Sequence, residues 1–273
     1  MNAKTQQALI DINRAFYAGV ADDFSDSRRD PWPGWRRALR QLKQSADRSI
    51  SVLDVGCGNG RFASFLEDEL GQPFRYLGLD SSSALLSHAR GAGDSPSYIE
   101  FAQREILDST VQLVPAGSRY DLIALFGVLH HVPAEASRRD LLQRLISHLT
   151  VGGILIVTAW QFGAFERFRA RMLPWQTYND RISDAFDQIG ADQIGADQIG
   201  EDQIDERELE AGDHLLRWGA TSLPRYCHFT NPDELRELLA TDRAEWVDEF
   251  SADGKTGDLN RYAVLRRRSD PNE

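Results

Sequence analysis

Val52-Leu53-Asp54-Val55-Gly56-Cys57-Gly58-Asn59-Gly60-Arg61-Phe62 is the stretch from which the rest of the chain is read. An apolar, β-branched run (Ile50, Val52, Leu53, Val55) breaks into three glycines at alternate positions. Phe62, Phe65 and Leu66 then recur at the spacing of one helical face. The pattern predicts a strand, a tight glycine turn and a helix. Such a turn lets a ligand approach bare backbone, with the N–H groups of the helix N-terminus facing it. Taken alone, it is equally the pattern of an ordinary turn.

Two neighbouring features narrow the reading. The next apolar run, Tyr76-Leu77-Gly78-Leu79, ends in Asp80, where an acid can accept both hydroxyls of a ribose. The glycines are spaced G-x-G-x-G behind an acid, Asp54, rather than G-x-G-x-x-G as in pyrophosphate cradles. Asp54 suits a cationic amine, where a dinucleotide would bring phosphates, so the spacing disfavours a nucleotide-dependent dehydrogenase. The implied ligand is a nucleoside with an amino-acid-like tail. On these residues the chain resembles the class I methyltransferases that use S-adenosylmethionine.

At 273 residues and 41% hydrophobic content the chain can bury a sizeable core in one large α/β domain. Residues 1–13 lack the apolar stretch of a signal peptide, and the longest apolar run, Gly152 to Trp160, is too short to span a bilayer. No membrane association is expected. Two cysteines, Cys57 and Cys227, fit a reducing compartment and offer neither a disulfide framework nor a metal site, so the expected location is cytoplasmic. The net charge of −11 argues against a polyanionic partner until it is mapped. Residues 180–213 hold twelve acids and two arginines, a net −10, which leaves the body near neutral. Arginine clusters at Arg36/Arg37/Arg40, Arg138/Arg139 and Arg266–Arg268 then become candidate phosphate contacts.

Hydrophobic periodicity predicts a helix over 3–19, a charged stretch from Asp22 to Asp30, and a second helix from about Trp35 to Leu42. An alternation follows: strand 50–55, helix 60–70, strand 75–80, helix 82–90, strand 98–103, strand 120–126, helix 135–149, strand 153–159. A helix at 231–240 and strands near 244–250 and 260–267 complete the chain. The fold class expected is α/β, a doubly wound, mostly parallel sheet of seven strands; the late hairpin is implied by the methyltransferase resemblance. The expected organisation is a cofactor-binding core with N-terminal helices at 1–179, an acidic low-complexity insertion at 180–213, and completion of the same domain by 214–273. Within the insertion, Asp187 to Asp205 repeats DQIG with isoleucines at 189, 194, 199 and 204. Steps of five rotate by about 140° on a helix and alternate faces on a strand, so neither element buries them together. A disordered linker is expected there.

Three further motifs bear on chemistry. Gln103-Arg104-Glu105-Ile106 closes the third strand; Glu105 can accept from an adenine amino group while Ile106 packs on the ring, although a solvated charge explains Glu105 equally well. Many class I enzymes have Asp at that place. Phe126-Gly127-Val128-Leu129-His130-His131-Val132 follows the fourth strand, where open α/β sheets bind ligands. Adjacent histidines without further ligands at useful spacing do not make a metal site. Two flanks are more specific. Phe16-Tyr17-Ala18 through Phe24-Ser25, Arg28 and Pro31-Trp32-Pro33 resembles the entry segment of the eukaryotic tRNA wobble-uridine carboxymethyl methyltransferases. Asp213 to Trp218, then Arg225-Tyr226-Cys227-His228, is similar to the same family's Asp-x-x-x-x-Trp stretch and Arg-Tyr-Tyr-His block, with Cys227 in place of the second tyrosine. Asn260-Arg261-Tyr262 is similar to its Asn-aromatic ending.

The resemblance implies S-adenosylmethionine held by Tyr17, Arg28, Asp54, Gly56, Cys57, Gly58, Gly60, Asp80, Ser81, Glu105, Ile106 and Phe126. Asp54 would lie near the methionine amine, Asp80 on the ribose, Glu105 at the adenine, with Tyr17 and Arg28 closing over the cofactor. His130, Arg225 and His228 would face the acceptor. No catalytic base is assigned, because a carboxylate acceptor is already ionised at pH 7. The implied activity is methylation of the carboxymethyl group of a modified tRNA wobble uridine, with a small zinc-binding activator subunit as an implied partner. Small-molecule O- or C-methylation and a catalytically silent cofactor-binding scaffold stay open.

Overall fold

A computed structural model describes residues 1–43, 48–91, 96–108, 110–180, 203–219, 221 and 223–269. The chain opens with α1 (Ala3–Asp26), capped by the Asn2 side chain on the Thr5 amide, and buries Leu9, Ile12, Phe16 and Val20 along one stripe. The helix runs past the expected end at residue 19. Gly19 acts as a close-approach position instead of a stop, since a Cβ there would lie 2.5 Å from Leu223 Cδ1. Next come α2 (Pro33–Leu39), β1 (Ile50–Val55), α3 (Arg61–Glu69), β2 (Phe74–Asp80), α4 (Ser83–Arg90), β3 (Ile99–Gln103) and β4 (Tyr120–Leu125). They are followed by α5 (Glu135–Ser147), β5 (Leu149–Trp160), α6 (Glu166–Arg169), β6 (Met172–Leu173), β7 (Asp213–Arg217) and β8 (Pro224–His228). The described chain closes with α7 (Pro232–Leu238), β9 (Ala244–Ala252) and β10 (Asn260–Arg267).

The main sheet has seven strands in the order β3-β2-β1-β4-β5-β10-β9. The first five are parallel, and β10 runs antiparallel to both β5 and β9. This is the doubly wound plan that the alternation predicts, with the late hairpin that the methyltransferase resemblance implies. Period-two alternation explains both of its faces. Leu53, Val55, Ile123, Leu125, Leu155 and Val157 point to the side covered by α5 and α7. Val52, Leu122, Ala124, Ile154 and Ile156 point to the side covered by Trp35 of α2 and Phe62, Phe65 and Leu66 of α3. Strand order reverses between β1 and β4, which opens a crevice at the carboxyl ends of the sheet.

A second, three-stranded antiparallel sheet (β6-β7-β8) is absent from the sequence reading. It packs on α1 through Leu9, Ile12, Leu215 and Tyr226. Ile204, the last repeat isoleucine, is buried in the same cluster, and Asn179 holds its backbone by hydrogen bonds of 2.9 and 3.0 Å. The expected linker therefore ends earlier than proposed: residues 203–213 form part of the packed body, whereas 181–202 lie outside the described residues. No described helix is long and apolar enough to cross a membrane.

Candidate cofactor and acceptor site

A cavity of about 560 Å³ opens at the carboxyl ends of β1, β2, β4 and β5, roofed by α1 and the second sheet. Its floor is the glycine turn. Gly56 sits at φ +77°, and a Cβ there would meet Val128 Cγ2 at 2.1 Å; Gly58, at φ +56°, leaves open space. The turn is tied to β2, because Gly56 and Cys57 donate N–H bonds to the Leu79 carbonyl. Gly58 N donates to Asp80 Oδ2 at 2.8 Å, and Ser82 N donates to Asp80 Oδ1 at 2.8 Å. Burial raises the pKa of Asp80, while the backbone donors work to keep it charged. Gly60, also left-handed, caps α3 and does not itself line the cavity.

Asp54 is the most exacting residue in this floor. One carboxylate oxygen accepts from Tyr76 Oη at 2.6 Å, and the other, buried, has no partner among the described residues. Burial pushes its pKa up to about 7. A buried acceptor without a donor is costly unless a ligand supplies one, and an ammonium group does. Ser81, Cys57, Ile106 and Phe126 line the same cavity. Glu105 does too, but it is partly exposed and paired with Arg14 at 2.8 Å.

The roof closes through polar ties. Asn59 Nδ2 donates to Ser25 Oγ at 3.1 Å and to the Arg28 carbonyl at 3.2 Å, and Arg61 Nη1 donates to the Asp30 carbonyl at 3.0 Å. Arg28 lies 3.9 Å over the Phe24 ring, and burial lowers its pKa to about 10. Asn260 and Tyr262 converge on Asp253, which also accepts from Gly34 N; this fixes the Trp32–Trp35 wall.

At the β5 end the lining changes to Trp160, His130, His131, Trp218 and Arg225. Arg225 is buried, with its guanidinium 4.6 Å from the Trp160 ring and 5.6 Å from Phe16. No described carboxylate pairs with it, and its Nε has no partner. Asn13 sets its position: Oδ1 accepts from Tyr226 N at 2.9 Å, while His131 Nδ1 donates to the Tyr226 carbonyl at 3.0 Å, and together they close the free edge of β8. Tyr17 Oη meets His131 Nε2 at 2.8 Å. Burial raises the pKa of Tyr17 to about 12 and lowers that of His131 to about 3, so both are neutral at physiological pH. His130 is likewise held neutral by burial.

The methyltransferase-domain family matches residues 27–242, well over half of the chain. The chain belongs to that family. With this fold it is a class I, S-adenosylmethionine-dependent methyltransferase. It is 26% identical over 144 residues to the tRNA (carboxymethyluridine(34)-5-O)-methyltransferase of Saccharomyces cerevisiae, a match covering 53% of this chain and 46% of that one. The chain thus spans about half the length of that relative. Among solved structures, an S-adenosylmethionine-dependent methyltransferase from Methanosarcina mazei has the same fold at a TM-score of 0.59 and 18% identity, over 88% of this chain and 100% of that one. The complex of the Haloferax volcanii Trm112 methyltransferase activator with a methyltransferase matches at 0.55 and 14%, over 95% and 98%.

The cofactor of this methyltransferase fits its cavity on two observations: the orphaned Asp54 oxygen, suited to the methionine ammonium, and the side-chain-free space above Gly58. Of the acceptor candidates, His130 and Arg225 line the cavity and His228 does not. His228 is a structural residue. Its Nδ1 pairs with Asp213 at 2.8 Å and its Nε2 with Glu234 at 2.8 Å, leaving no nitrogen for a substrate. Most of the clustered arginines are also committed elsewhere. Arg36 pairs with Glu69, Arg37 with Asp248, and Arg138 is buried between Glu210 and Glu234. Arg266 and Arg267 donate to the carbonyls of Gln41 and Leu149. Among the described residues, two groups of metal-ligating types come together: His130/His131/Cys227 and Glu210/Asp213/His228. In the first, His131 is engaged at Nδ1 by the Tyr226 carbonyl and at Nε2 by Tyr17, and burial raises the Cys227 pKa to about 12; in the second, Arg138 and the doubly bonded His228 supply the positive charge. The sequence reading missed Asn13, Asn59 and Trp160. Asn59 had a legible signal as the polar residue between two of the turn glycines; Asn13 and Trp160 had none.

Proposed function

We propose that this methyltransferase methylates a carboxylate, the carboxymethyl group of a modified wobble uridine in tRNA. The observation that carries the reading is Arg225: a buried arginine in the cavity, stacked between aromatic rings, with no described carboxylate to neutralise it. Such a cation suits an anionic acceptor, and the relative acting on carboxymethyluridine supports which one.

When bound, S-adenosylmethionine supplies an electrophilic methyl group. The chain's own work is then alignment. Asp54 would hold the ammonium, Asp80 the ribose, and Glu105 with Ile106 the adenine, while Tyr17 and Arg28 cover the site. Arg225 would orient the acceptor carboxylate for in-line displacement, the kind of positioning worth several kcal/mol. The carboxylate carries no proton at pH 7, so the neutral His130 and His131 shape the pocket and need not act as bases. A small zinc-binding activator and a cytoplasmic location belong to the same reading; the activator draws support from the Haloferax volcanii complex of like fold.

The test is methyl transfer from labelled cofactor to carboxymethyl-bearing tRNA, with any activator subunit supplied. Arg225→Ala is expected to lower the rate by roughly ten- to a hundredfold, the worth of a hydrogen bond to a charged group, while cofactor affinity stays nearly unchanged. Methylation of a free small acid, with such tRNA ignored, would overturn the tRNA reading and leave fold and cofactor intact.

A further inference from the structure

The arginines that the sequence offers as phosphate contacts are largely paired internally, yet a different basic surface leads out of the cavity. Phe165-Glu166-Arg167-Phe168-Arg169-Ala170-Arg171 follows β5 after four intervening residues and carries three arginines against one glutamate. Arg167, Arg169 and Arg171 are exposed, and none forms an ion pair with a described residue. Arg169 donates to the Gly163 carbonyl, which fixes the side chain without neutralising it. Arg217, also exposed and without an ion pair among the described residues, adjoins them, because its backbone N–H bonds to the Arg171 carbonyl at 3.0 Å. The guanidinium of Arg167 spans two rings, 5.2 Å from Phe165 and 4.8 Å from Phe168.

We infer that this rim, Arg167, Arg169, Arg171 and Arg217 with Phe165 and Phe168, binds the unpaired loop of an RNA whose target base enters the cavity. The inference rests on the tRNA reading above and locates the surface that serves it. Continuity is the first argument: Phe168 and Arg171 line the same cavity as Trp160 and Arg225, so the rim begins at the acceptor end and runs outward. Chemistry is the second. Guanidinium groups alternating with phenyl rings match a strand that alternates phosphates with flat bases. A small free acid would engage Arg225 inside the cavity and have no use for the three further cations outside it, Arg167, Arg169 and Arg217. A duplex keeps its bases stacked inside, whereas a loop presents one already unstacked.

The test measures binding of a fluorescent RNA stem-loop with an unpaired uridine, by anisotropy across a salt series, with any activator subunit present. Arg167→Glu/Arg169→Glu alters the rim outside the cavity; Arg36→Glu/Arg37→Glu is the matched control on a surface already paired. The rim variant should bind about tenfold or more weakly with a shallower salt slope, each lost phosphate contact removing about 0.7 from it, while the control follows the wild type. Cofactor affinity should be unchanged in both variants, which separates a lost surface from misfolding. RNA binding that survives the rim variant but falls in the control would overturn the rim and leave the tRNA reading standing. If the wild-type protein neither binds the stem-loop nor methylates tRNA, yet methylates free carboxymethyluridine, both the reading and the rim fall.

Discussion

Asp54 pairs one oxygen with Tyr76 and leaves the other for a ligand, with a pKa near 7 because burial disfavours its charge. The sign of the resulting pH dependence follows from proton linkage. A folded-state pKa raised above the ordinary 3.8 means that the ligand-free protein holds a proton here up to about pH 7. Binding an ammonium requires the carboxylate, so that proton must leave. Cofactor affinity should therefore fall toward a limiting tenfold per pH unit below about 7 and level off above it. Calorimetry in buffers of different ionisation heat should detect nearly one proton released at pH 6. In Asp54→Asn the pH dependence should vanish and affinity should drop by about 1–3 kcal/mol at pH 8. A flat pH profile in the wild-type protein would remove Asp54 from the amine site. Arg225 is the complementary residue, a buried cation where Asp54 is a buried acid, and each lacks a protein counter-ion within the described cavity.

Between elements, the cavity depends on how β8 is held. Asn13 of α1 supplies the side-chain amide that stands in for a neighbouring strand, and His228 at the other end of β8 bridges Asp213 of β7 and Glu234 of α7. Burial opposes the charge on His228, but the two carboxylates more than offset it, and its pKa is raised above 6.5. A raised histidine pKa contributes stability that is fully present below the unfolded value of 6.5 and is lost as pH rises through the folded value. His228→Gln should lower the melting temperature at pH 6 more than at pH 9, leaving cofactor affinity unchanged because the side chain lies outside the cavity. Equal loss at both pH values would mean that the imidazole is neutral in the folded protein. Cys227, beside it, packs in the apolar cluster of Phe162 and Leu216, so a cysteine occupies the resembled tyrosine's place without reaching the cavity.

Across the whole molecule, the net −11 charge divides between residues 181–202, which sum to −5, and the rest of the chain, in which the packed residues 203–213 contribute −4. The chain outside 181–202 keeps a net −6, many of its arginines are closed on carboxylates, and four exposed arginines without a described ion pair lie on the α6 rim. Ile204 is buried, so Ile204→Ala should cost about 2–5 kcal/mol by urea denaturation. The repeat isoleucines at 189, 194 and 199 share no common face on any regular element, so replacing residues 181–202 with a short Gly/Ser linker should leave the melting temperature nearly unchanged. A large drop would show that the segment packs on the body.

By itself the sequence determined the sheet, the glycine turn and the places of Asp54 and Asp80, because these follow from short-range rules: period-two burial, the left-handed φ that glycine accepts, and acids at strand ends. The seven-strand order with its late hairpin agrees with that reading. Only the tertiary structure decided the acceptor end. Arg225 and His228 lie three apart in one strand and look alike as candidates, yet one faces an aromatic cavity and the other two carboxylates. That difference is set on one side by Asn13 and Trp160, far away in the chain, and on the other by Asp213 and Glu234, on the neighbouring β7 and α7. The arginines obey the same logic. Whether a guanidinium is free depends on the carboxylate opposite, and for Arg37 that partner, Asp248, is 211 residues distant. Charge and spacing along a chain name the groups able to bind an anion; long-range pairing decides which of them are left to do so.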